Sequence, residues 1–182
     1  MKIYTKGGDK GNTQVYLADI KRVSKDDKIL ACYGDLDELN SHIGMLAAHL
    51  ETLTENKHRK DVLLSTAELL NIQKDIFSIG FAISDKPQFG SERIDFLETK
   101  IDTLQASLAP QTHFILPGGS IAAAQAHISR TVARRAERAL VSLAKDNQVP
   151  EVCLAYINRL SDFLFVSARY LNSLSNKPDI VV

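Results

Sequence analysis

The sequence has no tryptophan, only two cysteines, and no excess of charge of either sign. Cys32 and Cys153 stand far apart and fit no metal-ligand or redox spacing, which argues against a zinc module or a thioredoxin-like site. They read as small buried thiols in a reducing compartment, with a disulfide between them as the alternative. Lys plus Arg and Asp plus Glu each number 22, so global charge recommends neither a nucleic acid nor an anionic membrane as partner. No apolar run approaches the ~18 residues needed to cross a bilayer. The opening residues, Met1 to Thr13, lack the apolar core of a signal peptide. The expected location is the cytoplasm.

What is present is ordinary in amount and informative in order. The chain has 182 residues, 45% of them hydrophobic and 24% charged, enough for one domain with a real core and short for two. Residues 1–30 carry mixed signals. Lys2 to Tyr4 suggests a short strand, Gly7 to Thr13 must be loop or turn, and Ile20 to Asp27 is polar, so little regular structure is expected there.

From Asp35 the period becomes helical. Leu36, Leu39, Ile43, Leu46 and Leu50 alternate steps of three and four and share one stripe. Asp35 with Glu38 fits a capping-box start. A second helix is expected from about Lys60 to Ala82. A third uses Ile94, Leu97, Ile101, Leu104 and Leu108, with Ser91 as N-cap and Pro110 closing it. The loop Gln111 to Gly119 precedes a fourth helix, Ser120 to Lys145. A fifth runs from Pro150 to Leu174, with Pro150 suited to its first turn. Five helices with short connections predict an all-α fold, a five-helix antiparallel bundle of ferritin-like type preceded by an N-terminal glycine-rich loop. One domain spans 1–182, with a head at 1–30 and the bundle at 35–175.

Three places offer chemistry. On the fourth helix His127, Arg130, Arg134 and Glu137 form one stripe with Arg138 beside it, while Ala122, Ala126, Val132, Ala133, Ala136 and Leu140 face the core. Arginine forks suit polyphosphate oxygens because they bond them two at a time and keep their charge. A solvated basic face with an intrahelical Arg–Glu pair is the competing reading. On the fifth helix Asn158, Asp162, Phe165 and Arg169 align, which is more often surface than site. In the head, Thr5, Lys6, Gly7, Gly8, Lys10, Gly11 and Thr13 offer backbone N–H groups, lysines and hydroxyls that can wrap an anion. A simple β-turn explains the glycines equally well, and the order of residues is not that of a Walker A loop. On the first helix Asp37, Asn40, Ser41 and Gly44 lie off the leucine stripe, and Gly44 suggests a close neighbour. A lone Glu55-x-x-His58 lacks the second motif that a di-iron bundle requires.

Taken in order, Tyr4 to Thr13, Tyr33 to Asn40, Phe114 to Gly119, Arg130 to Arg138 and Ile157 to Asp162 resemble the PduO-type ATP:corrinoid adenosyltransferases nearly end to end. The resemblance implies a cobalamin-adenosyltransferase-like bundle assembled as a homotrimer, with ATP between adjacent subunits. It implies transfer of the 5′-deoxyadenosyl group of ATP to the cobalt of cob(I)alamin or a related corrinoid, with Mg²⁺ carried on the ATP phosphates. Thr5, Lys6, Gly7, Gly8, Lys10, Gly11, Thr13, Lys28, Arg130, Arg134, Glu137 and Asn158 would bind ATP. Arg130, Arg134, Asp37 and Phe114 would serve catalysis: Asp37 by pairing with Arg130 across the subunit interface, Phe114 by contacting the corrinoid and helping displace its lower axial ligand. A cobalt reductase and a B12-dependent acceptor enzyme are the further partners implied. Family members commonly carry glycines where this chain has Leu17-Ala18, and often arginine at the position of Lys28. Two other classes compete: a nucleotide- and corrinoid-binding carrier or sensor on the same bundle, and a nucleic-acid-binding helical protein using the Arg130 to Arg138 patch.

Overall fold

The computed structural model describes residues 2–16, 19–55, 62–84 and 89–182. A short hairpin, β1 (Asn12–Tyr16) and β2 (Ile20–Ser24), is followed by five helices: α1 (Lys28–Glu55), α2 (Thr66–Ile83), α3 (Glu92–Ala106), α4 (Ile121–Leu143) and α5 (Glu151–Leu174). The Leu17-Ala18 positions, the expected start of the second helix at Lys60 and the His58 of the lone E-x-x-H motif lie outside the described residues.

The expected stripes are the core. Leu36, Leu39, Ile43, Leu46 and Leu50 of α1 are buried, as are Leu69, Ile72, Ile76 and Ile79 of α2. Burying each such side chain contributes about 1.5–3 kcal/mol. On α3 only Leu97 and Leu104 are fully buried, while Ile94, Ile101 and Leu108 pack on the core from its margin. Helix α4 packs most extensively on α5 and α1, with α2 against α1 and α3 against α5. The connection from α4 to α5 is residues 144–150. Seven extended residues reach at most roughly 25 Å, short of the roughly 35 Å length of α4, so α5 must return alongside it.

A buried polar knot joins three helices. Asp75 of α2 accepts from Arg93 Nη2 of α3 at 2.6 Å and from the Tyr156 hydroxyl of α5 at 2.8 Å. Burial first, and the Asp75 carboxylate second, push the Tyr156 phenol well above its ordinary range.

Several boundaries differ from expectation. Helix α1 begins at Lys28, not at Asp35. Asp27 starts it: its carboxylate accepts from the Ile29 N–H at 2.9 Å and its carbonyl from Leu30 and Ala31. Asp35 and Glu38 form no cap. Both accept from Arg135 on α4 instead, Asp35 at 2.8 Å. The capping box belongs to α2, where Ser65 Oγ accepts from the Glu68 N–H and Glu68 accepts from the Ser65 N–H. Ser91 precedes α3 with helical backbone and no side-chain cap, and α3 stops at Ala106, before Pro110. Pro150 is the N-cap of α5, one residue ahead of the first turn.

The head is more ordered than predicted. Thr13 pairs with Val23, and Val15 with Lys21, in antiparallel register. Lys2 to Tyr4 forms no strand. Gly44 has the close neighbour its position suggested: a Cβ there would stand 3.0 Å from Gln73 Nε2 of α2. Asn40, expected off the core, is buried and bonded to the Gln73 backbone.

Candidate active site

The arginine stripe of α4 divides by partner. Arg135 turns to α1, as described. Arg138 folds back on its own helix, donating to the Arg134 carbonyl at 2.9 Å. Glu137 accepts from Asn158 Nδ2 at 2.8 Å, so the α4 stripe and the α5 stripe are joined. Arg130 and Arg134 are left facing a cleft of about 340 Å³ between α3, α4 and α5, which Arg159, Asp162, Phe165 and Gln105 also line.

The electrostatics of that cleft are unbalanced. Its one acid among the lining residues, Asp162, is bonded to Arg159 at 2.8 Å, and Arg159 also reaches Glu98. Arg130 is half-buried, its Nε is buried without a partner, and among the described residues it forms no ion pair. Burial, and then the neighbouring Arg134 cation, pull its pKa downward, a sign that the charge is under-compensated. Such a pair of guanidinium groups has the chemistry to bind anionic oxygens two at a time. His127, one turn before Arg130, is 4% exposed with both ring nitrogens unpartnered, its ring edge-on to Phe165.

The head presents a second cationic surface. Lys6 and Gly11 adopt positive φ, 58° and 78°, and the turn is closed by Gly11 N–H to the Gly8 carbonyl and by Arg22 Nη2 to the Gly7 carbonyl at 2.8 Å. Thr5, Lys6, Lys10 and Gly7 are exposed, Gly8 and Thr13 partly so. Lys28 opens α1 and pairs with Asp146 at 2.7 Å on the surface. Among the described residues, no hydrogen bond or ion pair joins residues 5–13 to Arg130, Arg134 or Glu137 within one chain.

Asp37 and Phe114 occupy other places. Asp37 is exposed, without an ion pair among the described residues, at the edge of an apolar cavity of about 280 Å³ between α1 and α2 lined by Tyr33, Leu36, Phe77 and Phe81. Phe114 is 85% exposed, midway along the loop between α3 and α4. Within one chain, then, the structure brings together Arg130, Arg134, Glu137 and Asn158. It leaves the head, Asp37 and Phe114 apart from them. Sequence reasoning passed over Arg159 and Gln105 as cleft residues; the α5 stripe held their neighbours Asp162 and Phe165 but not Arg159, and nothing in the periodicity of α3 singled out Gln105.

Comparison with known proteins shows the family. Residues 3–171 match the sequence profile of the family described as Cobalamin adenosyltransferase. The chain is 41% identical to the corrinoid adenosyltransferase of Bacillus subtilis (99% of this chain, 91% of the relative) and 44% identical to the cobalamin adenosyltransferase of Cupriavidus metallidurans (99% and 93%). Among solved structures, a PduO-type ATP:corrinoid adenosyltransferase variant from Lactobacillus reuteri complexed with ATP superposes with a TM-score of 0.86 at 36% identity, covering 99% of both chains. A phenylalanine-to-histidine variant from the same organism, complexed with cobalamin and ATP, gives 0.85 at 35% identity over 100% of this chain and 96% of the other. With its family profile matched across most of its length, this chain belongs to the cobalamin adenosyltransferases.

Proposed function

We propose that the cleft between α3, α4 and α5 receives the triphosphate of ATP, and that a corrinoid lies against the exposed ring of Phe114. The reaction is the family's, adenosyl transfer from ATP to the cobalt of a corrinoid. The observation that carries the assignment is Arg130: a half-buried, unpartnered guanidinium set beside Arg134. Such cations suit a group whose negative charge grows during reaction.

The chemistry needs no protein nucleophile. Cobalt(I) attacks the 5′ carbon of ATP, a cobalt–carbon bond forms, the carbon–oxygen bond breaks, and its electron pair leaves on triphosphate. Alignment of cobalt with carbon and stabilisation of the leaving oxygens are the protein's tasks. Arg130 and Arg134 serve the second, with Glu137 and Asn158 fixed to each other beside them. Among the described residues no cluster of three or more His, Cys, Asp or Glu side chains offers a cage for a metal. Mg²⁺ would therefore arrive on the triphosphate and be held chiefly by it.

Thr5 to Thr13 and Lys28 complete the nucleotide site from a neighbouring copy in a homotrimer. Two facts support this: among the described residues the head has no bond to the arginine cleft within one chain, and Asp37 and Arg130 each lack an ionic partner there. A pair between them across the interface would satisfy both. No described helix is long and apolar enough to span a membrane, and the enzyme is proposed to work in the cytoplasm. A reductase would supply cobalt(I) and a B12-dependent enzyme would take up the product.

The test is direct. Reduced cobalamin and ATP are mixed with the protein, and the absorbance change to the adenosylated product is followed together with triphosphate release. Both should appear in equal amounts. Tight binding of both substrates with no product would make the protein a carrier or sensor instead.

A further inference from the structure

Phe114 is exposed, yet the segment that carries it is held by five hydrogen bonds, all to residues beyond position 168. Its backbone pairs with the tail: the Val182 N–H donates to the Phe114 carbonyl at 3.0 Å and the Leu116 N–H to the Ile180 carbonyl at 2.8 Å, around the bridge between Ile115 and Val181. The tail is fixed in turn by Arg169, a buried side chain whose Nε donates to Asp179 at 2.8 Å. The same guanidinium donates to the Ala109 carbonyl, where the loop begins, at 3.0 Å. At the far end, Asn172 Nδ2 donates to the Gly118 carbonyl at 3.0 Å and its Oδ1 accepts from the Ser120 N–H at 2.9 Å. Gly119 has φ of 104°, and a Cβ there would overlap the Asn172 amide.

We propose that Arg169, Asn172 and Asp179 are positioning residues for Phe114, clasping the loop and the 179–182 tail together so that the ring meets the corrinoid in one place. The proposal rests on the reading of Phe114 as a corrinoid contact. The physical case is that an exposed aromatic ring cannot be oriented by packing, so its backbone must be. Arg169 binds both the start of the loop and the tail that pairs with its middle, while Asn172 binds its end. An interaction made only to close the bundle would not need to reach the loop on both sides of the ring. Neither Arg169 nor Asp179 touches the arginine cleft, so loosening the clasp should act on the corrinoid and spare ATP.

Val182 allows a narrow test, because its side chain is 79% exposed and its N–H is one of the clasp bonds. Val182→Pro deletes that donor and keeps the preceding residue extended, whereas Val182→Ala keeps the donor. Hydrogen exchange at Leu116 and steady-state kinetics for each substrate are measured on the full chain, with Asp179→Ala, which removes the acceptor of Arg169 Nε, as a second route to the same loosening. Expected for Val182→Pro and Asp179→Ala is exchange at Leu116 faster by about fivefold or more, the effect of losing one hydrogen bond of the clasp. The KM for corrinoid should rise or turnover from cobalt(II) fall by a similar factor, with the KM for ATP unchanged and Val182→Ala like wild type. Faster exchange with unaltered corrinoid kinetics, altered kinetics without faster exchange, or equal effects on both substrates would each overturn the proposal. If wild type itself makes no adenosylated product, the proposed function fails, while the exchange measurement still reports whether the clasp exists.

Discussion

Glu137 and Asn158 share a hydrogen bond of 2.8 Å across the α4–α5 contact, on the same side of the bundle as the unpartnered Arg130. The pair is surface-facing, so its bond adds little to folding, about 1 kcal/mol. Its value lies in fixing a carboxylate that would otherwise fold onto the arginines. Glu137→Ala and Asn158→Ala should each raise the KM for ATP several-fold with little change in urea midpoint. The double variant should be no worse than the poorer single one. Additive losses in a double-mutant cycle would show that the two act independently.

Arg134 offers a test of fork geometry against charge. Arg134→Lys keeps the cation and removes the planar pair of donors. Turnover should fall by ~3–4 kcal/mol in transition-state stabilisation, as for other lost leaving-group or oxyanion donors. Because Arg134 is exposed, thermal stability should hold. Near-normal turnover in the lysine variant would remove Arg134 from the triphosphate site.

Asp37 and Arg130, which form no ion pair among the described residues, are expected to find each other between chains. Breaking a desolvated pair strands one charge at a cost of ~3–5 kcal/mol. Asp37→Arg and Arg130→Asp should each weaken assembly and activity, measured by sedimentation and turnover. Mixing the two variants should recover some activity, since certain interfaces then present Asp37 opposite Arg130. If both single variants remain fully assembled and active, the cross-chain pair is absent.

His127 predicts how stability responds to acid. Burial first, and the nearby Arg130 second, hold its pKa below 6.5, with Asp179 opposing. The unfolded chain therefore binds this proton at a higher pH than the folded one. Stability is full above 6.5 and declines as pH falls through the window below that value. The urea midpoint of wild type should drop more between pH 7.5 and 5.5 than that of His127→Leu. Parallel curves for the two proteins would mean that His127 titrates normally.

Much of this was legible in the residues themselves. The α1 stripe from Leu36 to Leu50 obeys a strict helical period because one face meets the core along its whole length. The start of α1 was not, since Gly34 interrupts the pattern and the polar stretch up to Lys28 runs straight into a helix whose buried face begins at Ile29 and Cys32. The hairpin escaped for a related reason: it buries only Val15 fully, so its alternation is faint. The arginine stripe of α4 was visible as a row of cations, yet its spacing alone did not separate Arg135, roughly 140° around the helix from Arg130, as a partner for α1. Arg169 and Asp179 were invisible as a pair because one lies on a helix and the other in a tail with no period at all.

Asn172 caps α4 through Ser120, a residue 52 positions earlier in the chain. That separation has a kinetic meaning. Contacts that close long loops form after local ones, because their chain entropy is surrendered before the contact repays it. The first turn of α4 and the segment around Phe114 therefore take their final shape only once α5 has docked, and on a ribosome only after its last turn has emerged. Substitutions at Asn172 should speed unfolding far more than they slow folding. The Phe114 loop, proposed above as the corrinoid contact, is in this sense among the last parts of the molecule to mature.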